Sequence, residues 1–178
     1  MLGHGAGGGT DAPDLLAVRA AALAASVAVA RITQPYRVKG RRAPAPAGQL
    51  DEAWVTVVAT LTQEGVPLIV GGRSSGARVA CRTARSLGAA GVVALAFPLH
   101  PPGRADDPTR SRAAELATGL PTIVVNGDRD PFGVPAPGPG IEVCIRPGER
   151  HDLRRDPGAV AAAVVAWLAR HDWADPSL

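Results

Sequence analysis

The sequence predicts an α/β fold in one domain: a mainly parallel sheet with helices on both faces. Two observations carry this. Apolar runs of strand length alternate along the chain with alanine-rich, amphipathic runs of helix length, the pattern of successive βα units. The strand-like runs are also nearly continuous in apolar character, as parallel strands covered on both faces must be. The 178 residues suffice for one domain that buries about 70% of the surface its unfolded chain exposes.

A first helix is expected near 12–25, where Pro13 follows Asp11 and Ala12 as a first-turn proline would. "SVAVARI" (26–32) then reads as a strand, followed by a helix near 50–64 that Gly65 can stop. "PLIVGG" (67–72) is the next strand, and a helix over 75–89 follows, stopped by Gly88. Strands are expected at "GVVALAF" (91–97), "PTIVVNG" (121–127) and "IEVCIRP" (141–147), with a helix near 108–118 between the first two. The last helix, 157–171, begins in "RDPGAV", where Asp156 is placed to cap it ahead of Pro157. Two proline-rich loops, 34–48 and 98–108, leave carboxyl ends of strands, the edge at which open α/β sheets bind ligands.

Composition excludes several function classes. The net charge of +3 comes from arginine, with Lys39 the only lysine, and 3% aromatic residues are too few for a nucleic-acid stacking platform. The longest apolar stretch, 15–29, contains Arg19 and is too short to span a membrane. "MLGHGAGG" lacks the charged start and apolar run of a secretory signal, so a cytoplasmic, soluble protein is expected. Cys81 and Cys144 show neither a CxxC nor a repeated spacing, which argues against a disulfide framework or a zinc site.

Chemistry concentrates in "GGRSSGAR" (71–78). Gly72 and Gly76 frame Ser74 as G-x-S-x-G, whereas centring on Ser75 would put Arg73 and Ala77 in the glycine positions. A serine on such a strand–turn–helix bend is held in a strained backbone conformation with its hydroxyl exposed, and the following helix points its first amides at the site. The Ser75 N–H is thus one candidate donor to an oxyanion; "GHGAGGG" (3–9) offers a second at Ala6, with His4 and Gly5 building the loop. The same serine also fits a helix N-cap in a glycine-rich turn. An acid and a base follow in the order acyl transfer requires: Asp130 in "VVNGDRDPFG" and His151 in "RPGERHDL", each just past a strand. Asp128 is an alternative acid. Asp152 is expected to face solvent, His171 to suit a helix C-terminus, and His100 to pack within its loop, with lining the site as the alternative.

With those motifs in view, "GHGAGG", "GRRAPAPAG", "GGRSSGARVA", "FPLHPPG" and "VNGDRDPFG" together resemble the α/β-hydrolase superfamily. Within it they are most similar to small, cap-less hydrolases related to dienelactone hydrolase and to the non-specific-lethal complex subunit three and testis-expressed thirty family. The resemblance spans nearly the whole chain. It implies an α/β-hydrolase fold without a cap domain and a serine hydrolase acting on an ester, thioester or similar acyl substrate, with no metal or organic cofactor; the short 98–108 connection leaves no room for a helical cap and so favours small acyl groups. By position it makes Ser74 the nucleophile, Asp130 the acid, His151 the base, and Ala6 and Ser75 the oxyanion donors. Some relatives act as scaffolds, so a non-catalytic interaction protein is the alternative implied by the same family.

Two departures shape the expectations. Only residues 1–3 precede His4, too few for a full strand, so the sheet is expected to be abbreviated there. The oxyanion loop is then expected to be weakly anchored, with an uncovered sheet edge open to pairing between subunits. Glu115 stands where relatives often carry histidine. A rival reading uses Gly3, Gly5 and Gly8 as G-x-G-x-x-G with Arg31 near a 2′-phosphate, giving an NADP-binding module, but it leaves Ser74, Asp130 and His151 unexplained.

Overall fold

A computed structural model of the chain describes residues 1–104, 107–175 and 177. Its elements are β1 (Leu2–Gly3), α1 (Pro13–Ala24), β2 (Arg31–Ile32), α2 (Pro35–Val38), α3 (Ala47–Leu61), β3 (Ile69–Arg73) and α4 (Ser75–Thr83). β4 (Gly91–Leu95), a 3₁₀ turn (Pro108–Arg110), α5 (Ala113–Leu116), β5 (Thr122–Gly127), β6 (Ile141–Arg146) and α6 (Pro157–Arg170) follow. The strands form one sheet in the order β2-β1-β3-β4-β5-β6, every pair parallel.

Successive residues of the central strands feed opposite faces, which is why the runs read as continuously apolar. Val92, Ala94 and Val124 join the core under α3 and α4 with Trp54, Val58 and Ala80. Val93, Leu95, Ile123 and Val125 join the opposite core with Leu15, Val18, Val164 and Trp167 of α1 and α6. Cys81 and Cys144 are both free.

The winding reverses once. From β1 the chain passes through α1 to β2 on one side, then through α2 and α3 to β3 on the other side of β1. The helix after β1 therefore packs on one face and the helix after β3 on the other, so the two connecting loops diverge. A crevice opens between them at the carboxyl ends of the strands, as at any such switch point.

Three expectations need correction. The strand before His4 is short, as expected, at residues 2 and 3, but it lies inside the sheet, where the Gly71 N–H donates to the Met1 carbonyl at 2.9 Å and the Leu2 N–H to that of Ala30 at 2.8 Å. The uncovered edge is thus not at β1; the sheet ends at β2 and β6. The expected strand over 26–32 contracts to Arg31–Ile32, because β1 offers only two residues to pair with. The helix expected near 108–118 is a 3₁₀ turn and a four-residue helix. Pro108 starts that turn, Gly119 closes the segment at positive φ, and Arg112 is drawn aside to donate to the Pro98 and His100 carbonyls. The proline-rich loop over 98–108 includes residues 105 and 106, which lie outside the described residues.

Glu115 receives a structural explanation. Its carboxylate ties α5 to α4 by pairing with Arg78 (2.6 Å) and Arg82 (3.3 Å), while Arg82 also pairs with Asp51 of α3 (2.6 Å). Asp156 caps α6 as the sequence predicts, accepting from the Ala159 N–H.

Candidate active site

Ser74 sits where β3 turns into α4, at φ 52° and ψ −115°. A non-glycine residue in that region carries about 1–3 kcal/mol of strain and persists only when its surroundings over-determine it. They do so here. The Ser74 N–H donates to the Leu95 carbonyl (2.9 Å) and its own carbonyl accepts from the Arg78 N–H (3.2 Å).

The flanking glycines are required by close approach of main chain. A Cβ on Gly72 would lie 2.4 Å from the Gly3 oxygen, and one on Gly76 would lie 2.5 Å from the Gly3 carbonyl carbon. β1 therefore presses directly on the bend. The motif read from the sequence is the imprint of that contact.

The loops after β5 and β6 bring the other two predicted side chains to Ser74. His151 Nε2 lies 2.9 Å from Ser74 Oγ, and His151 Nδ1 lies 2.8 Å from Asp130 Oδ2. A carboxylate only accepts, so the proton sits on Nδ1 and Nε2 accepts from the serine hydroxyl. The Asp130 carboxyl is 0% exposed and the His151 side chain 20%. Asp130 is further fixed by the Phe132 N–H (2.9 Å to Oδ1) and by Asn126 Nδ2 (3.3 Å to Oδ2), and the Phe132 ring packs edge-on against the imidazole at 4.3 Å.

Asp128, the alternative acid, faces elsewhere: its Oδ1 accepts from the Gly148 N–H at 2.7 Å. It pins the loop that carries His151. Asp152 is half exposed beside Arg154, and His171 stacks on Trp173. His100 is buried in its loop, its N–H donating to the Phe132 carbonyl and its ring against Gly133.

The loop after β1 is firmly held, contrary to expectation. His4 is fully buried; its Nε2 accepts from the Gln34 N–H (2.9 Å) and its Nδ1 donates to the Gly5 carbonyl (2.8 Å). Gln34 Nε2 donates back to the His4 carbonyl (2.6 Å), and the Tyr36 hydroxyl to that of Ala6 (3.0 Å). Burial holds His4 below the ordinary histidine range, in keeping with a neutral ring that accepts from an amide. Among the described residues neither the Ala6 N–H nor the Ser75 N–H has an acceptor, so both remain able to donate. Arg31, assigned by the rival reading to a 2′-phosphate, instead donates to the Thr10 carbonyl, and α1 begins five residues after Gly8 rather than at it.

A cavity of about 480 Å³ opens over Ser74, walled by Gly5–Gly7, Arg73, Phe132 and residues 150–152. A smaller apolar cavity, about 230 Å³, lies between α2 and α3 against Trp54 and Leu50, away from the Ser74 hydroxyl. Among the described residues no three His, Cys, Asp or Glu side chains group to hold a metal ion, and no helix is long and apolar enough to cross a membrane.

Several supporting residues escaped the sequence reading. Gln34 lies in a loop that no motif marks, and Asn126 and Phe132 stand inside "VNGDRDPFG" with no sign there of what they contact. The contacts of Arg73 and of Asp14 in α1 escaped as well: Arg73 Nε donates to Asp14 Oδ2 (2.9 Å) and Arg73 Nη2 to the His151 carbonyl (2.8 Å). Arg73 occupies a variable slot of the serine motif, and only its neighbours in space reveal what it does.

Chains wound in this order, turning a serine outward at the switch point with an acid and a histidine on later loops, form the α/β-hydrolase class. The sequence bears this out beyond geometry. The chain belongs to the alpha/beta hydrolase domain family, whose profile matches residues 1–137. That span holds Ser74 and Asp130 and ends before β6 and His151. No curated protein matches the chain.

Solved structures share the fold. A serine hydrolase without a lid from Xanthomonas campestris is 17% identical with a TM-score of 0.71, covering 96% of this chain and 81% of its own. Est1E from Butyrivibrio proteoclasticus, with ferulic acid bound, is 16% identical with a TM-score of 0.75, covering 95% and 87%. A serine hydrolase homologue from Coxiella burnetii is 15% identical with a TM-score of 0.71, covering 93% and 84%.

Proposed function

We propose that the protein is a serine hydrolase that cleaves a small ester, thioester or related acyl compound through a covalent acyl-enzyme. The observation that carries this reading is the unbroken chain from Ser74 Oγ to His151 to the buried Asp130 carboxylate, set on a strained bend. His151 takes the hydroxyl proton as Ser74 Oγ attacks the acyl carbon, and Asp130 holds the ring orientation and the charge that forms on it. Negative charge developing on the carbonyl oxygen is met by the Ala6 and Ser75 N–H groups, aided by the positive end of α4. Each such donor contributes about 3 kcal/mol to the transition state. The protonated imidazole then releases the leaving group, and a water activated by the same histidine frees the acyl group.

An open cavity with main-chain and arginine walls suits small or surface-presented acyl groups better than long buried chains. Rapid mixing with p-nitrophenyl acetate tests the mechanism. A burst of p-nitrophenol equal to the enzyme concentration, followed by slower steady turnover, is the expected result. A protein that gives neither burst nor turnover across a panel of acetyl, butyryl and thioacetyl esters is not such an enzyme.

A further inference from the structure

Arg73 joins three elements that must keep register for the relay to work. It is the last residue of β3, adjacent to Ser74. Its Nε donates to Asp14 on α1 and its Nη2 donates to the main-chain carbonyl of His151, 78 residues away in sequence. The Arg73 side chain is 13% exposed and the Asp14 carboxylate 0%. Asp14 is itself fixed, its Oδ1 accepting from the Leu15 N–H at 2.9 Å. The alkyl stem and Nη1 of Arg73 also lie against Gly5 of the loop after β1, within 3.5 Å of where a side chain there would begin.

The His151 ring is oriented at its tip by Ser74 and Asp130, but its backbone needs a separate restraint. The 147–153 loop is tied on its leading side by the Gly148 N–H to Asp128 and by the Arg129 N–H to the Glu149 carbonyl (3.0 Å). At His151 itself the Arg73 guanidinium supplies the tie. We infer that Arg73 is a positioning residue: it clamps the histidine loop to the serine bend, with Asp14 as the buried anion that fixes the guanidinium in place. A planar fork serves this purpose because one side chain must present two donors in different directions, which a single ammonium does poorly. The role concerns geometry at the reacting centre, so its loss should appear in kcat rather than KM.

The inference rests on the serine-hydrolase reading above. Wild-type turnover of p-nitrophenyl acetate that vanishes in Ser74→Ala establishes that reading independently of any result at Arg73; absence of turnover across the panel of acetyl, butyryl and thioacetyl esters would refute the reading itself. Removing Arg73 alone strands the Asp14 charge, so two variants are needed. In Arg73→Met combined with Asp14→Leu no charge is stranded; folded protein should show kcat reduced on the order of 10²-fold with KM within about twofold of wild type. In Arg73→Ala, Asp14 remains to recruit a small cation. Millimolar guanidinium chloride should then restore part of kcat, while the same concentration of sodium chloride should not. Arg73→Lys, which keeps a cation beside Asp14 and hence the fold, should fall in kcat if Arg73→Ala does not fold. Wild-type kcat in the double variant or in Arg73→Lys overturns the inference. So does a rise in KM at unchanged kcat, which would make Arg73 a substrate ligand, or guanidinium that raises the melting temperature of Arg73→Ala without raising its turnover.

Discussion

The bend that carries Ser74 and the loop that carries His151 meet at the Ser74–His151 hydrogen bond, yet they are held by different means. Around Ser74 the restraints are main chain: a parallel ladder on either side, an N–H to the Leu95 carbonyl, and two glycines pressed against Gly3. Around His151 the restraints include side chains from remote parts of the sequence, with Arg73, Asp128 and Asp130 each reaching the loop. Main-chain packing leaves a local signature in sequence, because only glycine fits the contact. Side-chain restraint leaves none, because many residue types at many positions could supply it.

That contrast can be broken or sharpened by substitution. Ser74→Ala removes the proposed nucleophile while leaving the bend, and kcat on p-nitrophenyl acetate is expected to fall on the order of 10⁶-fold with an unchanged far-ultraviolet circular dichroism spectrum. Asp130→Asn retains shape but disturbs the tautomer and charge of the ring, for a loss of about 10⁴-fold in kcat. Asp128→Asn keeps an acceptor for the Gly148 N–H and should stay within about threefold of wild type, as a peripheral change does. Comparable losses at 128 and 130 would contradict the division of labour drawn between them.

Smaller effects address the main-chain side. Gly76→Ala forces a methyl to within 2.5 Å of the Gly3 carbonyl, so β1 or the bend must shift. Thermal or urea unfolding should register about 1–3 kcal/mol of destabilisation, with loss of activity in the fraction that stays folded. The smallest expected effect lies at His4. Burial lowers its pKa in the folded state, so the unfolded chain takes up the proton first as pH falls. The contribution of neutral His4 is therefore complete above the unfolded value of about 6.5 and is lost below it, toward the lowered folded value. The drop in melting temperature between about pH 7.5 and pH 5.5 should be larger for wild type than for His4→Gln, which keeps an acceptor without the titration. Equal drops would mean that His4 does not titrate against the fold.

The same distinction explains how much of the molecule could be read in advance. β4 and β5 are legible because both faces are covered and their residues, Asn126 apart, are apolar or small. Ser74, Asp130 and His151 are legible because each lies within five residues of the carboxyl end of a strand. β1 is not, since a two-residue strand has no periodicity; it exists because β3 and the chain at Ala30 offer its backbone partners. α2 begins at Pro35, just after Gln34 has turned inward to hold His4, and nothing in the proline-rich run marks that commitment. The segment over 108–118 has helical composition but spends Arg112 and Glu115 on contacts with the 98–100 loop and α4. Tertiary demand there overrides propensity.

The central claim is that Ser74, and not its neighbour Ser75, is the nucleophile that His151 activates. Treating folded protein with a fluorophosphonate and mapping the modified peptide by mass spectrometry tests it directly. The account predicts one adduct per chain, on Ser74, formed far more slowly when His151 is replaced by alanine. An adduct on Ser75, or none on protein shown to be folded, would contradict it.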